Sequence, residues 1–311
     1  MILEIPKIFK ANDVIAFINN MQIIFKLQGT MTPFVKIDLT KTKQISALGI
    51  LLIYKVIEYT YINHCFKKPE LQVNDYIQQK WKEYGFYELI CLYISNKDIA
   101  DEGYKELSIK LQDKFFIAPQ ALLRSDNYSK EMIEKKFLPP IKEYYKGFPK
   151  TISMIFLCLS EILLNFWEHA VNDMRSIIVA EGNKNNIEII CADTGEGIVS
   201  TLGRAYKEHE YTPENIIKKS IEKGETSKKM SNHMGGYGLW ILNEITTRVQ
   251  GRLHIYSQGV FLKNENSKTL IGQSGYWQGT IIYLSLPLNK PVTLADIESY
   301  VNNGQIKLNI A

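Results

Sequence analysis

The chain has 311 residues, of which 45% are hydrophobic and 23% charged, with a formal net charge of +4. That length allows two domains with a core each, and the balance of apolar and charged residues excludes a disordered chain. So small a net charge, spread along the sequence, gives no support to a basic nucleic-acid surface.

The opening stretch MILEIPKIFKANDV puts acidic and polar residues where a secretory signal needs an unbroken apolar run. The longest apolar segments, residues 45–57 and 152–159, are shorter than a bilayer requires. Cys65, Cys91, Cys158 and Cys191 stand far apart in apolar settings, with no CxxC pair and no zinc spacing, and read as reduced core residues. A cytoplasmic protein without membrane attachment is expected.

Residues 34–39 (FVKIDL) alternate as a half-buried strand, and residues 46–61 form a strongly apolar helix after it. Residues 71–73 are a further short strand, and residues 76–84 a helix that ends at Gly85. Strand, helix, strand, helix predicts a small α/β domain over residues 1–118. Residues 119–150 are a connector with a turn at Ser125, Asp126 and Asn127, a short helix over 130–137 and a break at Pro139 and Pro140.

A long helix follows, whose apolar side is Ile152, Ile155, Phe156, Leu159, Ile162, Leu163 and Phe166. Glu161, Asn165 and His169 are spaced by four and share another side. Ile187, Ile189 and Ile190 mark a strand that delivers Asp193 to a turn with Gly195 and Gly197, where missing Cβ atoms would let backbone approach a ligand. Gly235, Gly236 and Gly238 open a helix carrying Leu239, Leu242, Ile245 and Val249, and a glycine loop entering a helix N-terminus suits phosphate. Between the two glycine clusters, residues 199–234 are basic and glycine-interrupted, with Lys228 the favoured phosphate contact; a solvated amphipathic helix around Ile216 and Ile217 fits as well. Residues 252–257 and 280–286 complete a sheet, Gly279 and Thr280 entering the last strand, and residues 291–311 form a tail with a helix over 294–301.

These segments, in this order, resemble the Bergerat-fold ATPases, the superfamily of DNA gyrase, the large heat-shock chaperone, mismatch-repair clamps, histidine kinases and anti-sigma-factor kinases. The resemblance spans residues 151–290. It implies a two-layer α/β sandwich, a mixed sheet with helices on one face, that binds ATP with Mg²⁺. It assigns Glu161 as general base, Asn165 as magnesium ligand and Asp193 as the reader of adenine. Thr280 assists Asp193, His169 lies beside the nucleotide, and Gly195, Gly197, Gly235, Gly236, Gly238 and Leu239 line its path. Residues 1–118 more weakly resemble a STAS domain, with Ser46 or Ala47 where that family carries a phosphorylatable serine.

The function expected is hydrolysis of ATP or phosphorylation of a protein partner on serine or threonine. The alternative is an ATP-driven conformational switch or homodimerisation clamp without phosphotransfer. Only His64 of the five histidines precedes Glu161, and no acidic residue follows it at once, which argues against histidine autophosphorylation.

Overall fold

The computed structural model describes residues 1–27, 34–63, 68–91, 93–94, 115–122, 132–169, 176–206, 211–225 and 237–297, with only the backbone given at 88, 115–122, 132 and 167–169. The turn at residues 125–127 and the second half of the expected tail helix, 298–301, lie outside them. The chain is a mixed α/β protein.

Near the N-terminus, β1 (Ile2–Glu4), β3 (Lys36–Asp38) and β5 (Glu70–Gln72) form a parallel sheet in the order β1-β3-β5, while β2 (Ile8–Phe9) pairs with β4 (Gln44–Ile45). Its helices are α1 (Val14–Lys26), α2 (Ala47–Asn63), α3 (Asp75–Glu83) and α4 (Tyr87–Cys91). The side chain of Asn74 caps α3 by accepting from the Ile77 N–H at 2.9 Å, and Gly85 takes the left-handed conformation just past its end, φ 70°. Ser46 precedes α2, its hydroxyl donating to Phe9 O and accepting from Gly49 N–H. Among these elements β1, β2, β4, α1 and α4 are additions to the expected set.

The larger sheet has seven strands in the order β11-β10-β9-β12-β8-β7-β6. These are β6 (Phe115–Leu122), β7 (Ser176–Gly182), β8 (Asn186–Ala192), β9 (Arg252–Ser257), β10 (Val260–Glu265), β11 (Lys268–Gln273) and β12 (Thr280–Pro287). Every neighbouring pair in it is antiparallel, where a mixed sheet was expected; parallel pairing is confined to the N-terminal strands. The hairpin of β9, β10 and β11 turns at Gln258 and Gly259 and again at Asn266 and Ser267, all four at positive φ, the conformation of two-residue hairpin turns. Strand β6 runs across the expected boundary at 118/119. Pro139 and Pro140 do not break the chain: they sit in the first turn of α5 (Leu138–Tyr144), where a proline leaves no helical hydrogen bond unmade.

Strand residues alternate between two cores. Ile178, Ile189, Ile255, Ile282 and Leu284 face α6 (Pro149–His169) and α9 (Gly238–Val249), whereas Ile177, Ile190, Tyr256, Ile281 and Tyr283 face the N-terminal elements. The sheet is therefore covered on both faces, with α2 lying on β7 and β8. A helix that is apolar all round must be buried all round, and α2 is over residues 47–58, where Lys55 at 0% and Glu58 at 2% exposure survive as an ion pair of 2.6 Å. One expected core residue of α6 is displaced, Phe156, which is 38% exposed while Met154 and Cys158 take the core positions. The apolar run of this helix also continues past Leu159. Over Pro149–Phe166 it has the length and composition of a membrane span, the one such helix among the described residues, and 44% of that window is buried inside the protein.

Candidate functional site

Helix α6 carries Glu161 and Asn165 one turn apart, both half-buried. The Asn165 side-chain N–H donates to the Glu161 carbonyl at 2.7 Å, which turns the amide oxygen away from that carbonyl. Opposite them begins α9. A Cβ added at Gly238 would lie 2.7 Å from Glu161 Oε2 and 2.8 Å from Asn165 Nδ2, so any other residue there would push both heads aside. Among the described residues no side chain caps that start, and its first N–H groups form the positive end of a 12-residue helix beside a carboxylate and an amide. Leu239 points into the core at 7% exposure, so only its backbone belongs to this corner.

The second cluster forms where β8 ends. Asp193 is 2% exposed. Its carboxylate accepts from Gly195 N–H at 2.7 Å and from Thr280 N–H at 3.1 Å, while its own N–H donates to Thr280 O. A carboxylate has about four acceptor positions, so a further donor from a ligand would join an already ordered group. Thr280 is also buried, its hydroxyl accepting from Ile198 N–H at 3.0 Å. Positive φ occurs at Gly197, 79°, and Gly279, 95°, and not at Gly195. A Cβ at Gly197 would strike Ser257 Oγ at 2.6 Å, and one at Gly279 would strike Asp193 itself. Both glycines are thus fixed by close backbone approach around the aspartate.

Helix α7 (Gly197–Gly203) joins the clusters, starting at the Asp193 turn and packing on α6 and on β9. With α8 (Pro213–Lys219) it borders a cavity of about 300 Å³ lined by Val199, Ser200, Arg204, Tyr206, Tyr211 and Pro213. Two cations of this basic segment are held locally. Arg204 pairs with Glu196 at 2.6 Å, and the Lys219 ammonium lies 5.0 and 5.4 Å from the ring centres of Tyr206 and Tyr211. Lys223 differs: its ammonium is buried without a hydrogen-bond partner and sits 5.2 Å from the ring centre of Trp240, in the first turn of α9. Burial pushes the Cys158 thiol well above its usual range, helped by the charge of Glu161, so it is no nucleophile.

The structure therefore brings Glu161 and Asn165 to Gly238, and Asp193 and Gly195 to Thr280. His169 ends α6 with only its backbone described, and Lys228, Gly235 and Gly236 lie outside the described residues. Sequence reasoning passed over the segment before Gly279. There the Trp277 indole donates to Asp193 O at 3.0 Å and Gln278 Nε2 to Gly195 O at 2.7 Å. Comparison with known proteins finds no matching family model and no curated relative.

Proposed function

We propose that this chain is a Mg-ATP-binding regulatory protein with a Bergerat-type nucleotide domain over residues 151–290 and a STAS-like unit over 1–118, acting as an ATPase or a protein serine/threonine kinase in the cytoplasm. One observation carries the reading: a carboxylate and an amide one turn apart on α6 meet the glycine start of a helix. Helix α9 thus presents N–H donors to an anion at the point where α6 presents an acid and a metal-competent oxygen.

The residues fit the ligand in kind. Asp193 supplies an acceptor for the exocyclic amine of adenine, Gly197 and Gly279 let the backbone close around that aspartate, and the Asn165 amide oxygen with phosphate oxygens would hold Mg²⁺. The bound ion neutralises phosphate charge. Glu161 takes the proton from an attacking water or hydroxyl. A protein partner would supply that hydroxyl in the kinase reading.

Calorimetric titration with ATP, ADP and Mg²⁺ tests the proposal. Mg-ATP binding that Asp193→Asn weakens at least tenfold is expected; no binding by the unaltered chain, or binding that ignores this substitution, overturns it. Incubation with γ-labelled ATP then separates free phosphate from phosphoprotein.

A further inference from the structure

The connection between β11 and β12, residues 274–279, touches two parts of the protein at once. On one side it holds the Asp193 turn: Trp277 donates to Asp193 O, Gln278 to Gly195 O, and Gly279 lies against the aspartate. The Tyr276 hydroxyl in turn donates to Gln278 Oε1 at 2.8 Å. On the other side it is gripped by α1 of the N-terminal unit. Gly275 N–H donates to Asn19 Oδ1, and a Cβ at Gly275 would meet Asn19 Cα at 2.7 Å and Ile18 O at 2.8 Å, so strap and helix are in backbone contact. Phe25 of α1 packs edge-on against Trp277, ring centres 5.1 Å apart, and also against Tyr59 of α2 at 4.8 Å. Trp277 is fully buried. A rigid indole thus links the N-terminal helices directly to the carbonyl of Asp193.

We infer that Asn19 is a positioning residue for adenine recognition: α1, acting through the 274–279 strap, sets the placement of the Asp193 turn, so the N-terminal unit controls nucleotide affinity. The inference rests on the nucleotide reading above. Packed elements with few arrangements transmit displacement in this way, and the coupling is reciprocal by linkage. Nucleotide bound at Asp193 tightens the hold on α1, and loosening α1 relaxes the site.

The test uses the full chain and compares Mg-ATP with Mg-ITP, whose base carries a carbonyl where adenine has its amine. Asn19→Ala removes the helix-to-strap hydrogen bond, and Gly275→Ala wedges backbone from backbone. Each is expected to weaken ATP about fivefold and to lower the ATP-to-ITP preference, with thermal stability little changed in Asn19→Ala. Asn20→Ala, exposed on the same helix, leaves both values as they were. In the unaltered chain, ATP slows amide exchange across residues 14–26. A purely structural role for Asn19 would leave the base preference unmoved, and that result overturns the inference while the nucleotide reading stands. Absence of ATP binding by the unaltered chain removes both.

Discussion

Replacing Gly238 by alanine puts the proposed chemistry to its most direct test, because the change adds one methyl group where the two site helices touch. The new Cβ would stand 2.7 Å from Glu161 Oε2 and 2.8 Å from Asn165 Nδ2, whereas ordinary contact begins at 3.4 Å, so both heads must retreat by about 0.6–0.7 Å. These atoms end flexible side chains, so they can move without disturbing the fold. Alanine in the first turn of α9 also favours the helix, by up to about 1 kcal/mol relative to glycine in a helix interior. Thermal stability should therefore hold or rise. Displacement of catalytic groups on the scale of an ångström costs about a hundredfold in rate, and a shift of two-thirds that size places the expected loss between about tenfold and a hundredfold. Phosphate release under saturating Mg-ATP, read beside a thermal melt, measures both quantities. Gly203→Ala, with nothing within 4 Å of the added carbon, is the matched control. Unchanged turnover in Gly238→Ala would show that Glu161 and Asn165 have no part in the reaction.

Glu161→Ala should abolish phosphate release while leaving nucleotide binding within about threefold, since a general base acts on the reacting proton rather than on the bound ligand; undiminished release rules it out as the base. Lys223→Met should weaken ATP more than adenosine in parallel titrations, because its buried ammonium lies 5.2 Å from the Trp240 ring centre in the first turn of α9, the helix start proposed to meet phosphate; equal losses for both ligands would contradict that. Glu58→Ala should destabilise the fold by about 3–5 kcal/mol in urea melts, since it removes a buried carboxylate that accepts from Lys55 at 2.6 Å and from Tyr54 at 2.8 Å; an unchanged melt would contradict that. His254 bears on acid stability. Burial, and next the charge of Lys263, hold its folded pKa down to about 4 from 6.5, against the opposing pull of Glu265. As pH falls from about 6.5 to about 4 the unfolded chain takes up a proton that the folded chain refuses, so stability drops across that window. His254→Gln should flatten that part of the stability-against-pH curve.

Local pattern carried much of the fold. The alternation at 34–39, the Gly85 stop of α3, the isoleucines of β8 and the spacing in α9 each translate into an element without help from distant contacts. What escaped were elements whose signals are short or divided. Helix α1 mixes Asn19, Asn20 and Gln22 into its apolar run because those residues meet the strap and solvent rather than a second helix face. Strands β10 and β11 lay hidden because their turns use Gln258 and Asn266 at positive φ, where a stronger sequence signal would have been Asn-Gly or Asp-Gly. Phe156 satisfies helical spacing yet lies outside the core, since the buried arc of α6 turns toward Met154 and Cys158.

The second face of the sheet is the more instructive case. Strands of a sheet covered on one side should alternate apolar with polar, but β7, β8 and β12 read as near-continuous apolar runs, which strands covered on both sides require. Helix α2 says the same from the opposite side, being apolar round its whole circumference. Read together, these patterns place a buried helix on a doubly covered sheet, and they make the N-terminal unit a part of the core beneath the proposed nucleotide site. The Asp193 site then inherits a second support. Its turn is held from behind by a strap that α1 grips, so a signal that moves α1 need not reach the ligand to be felt by it.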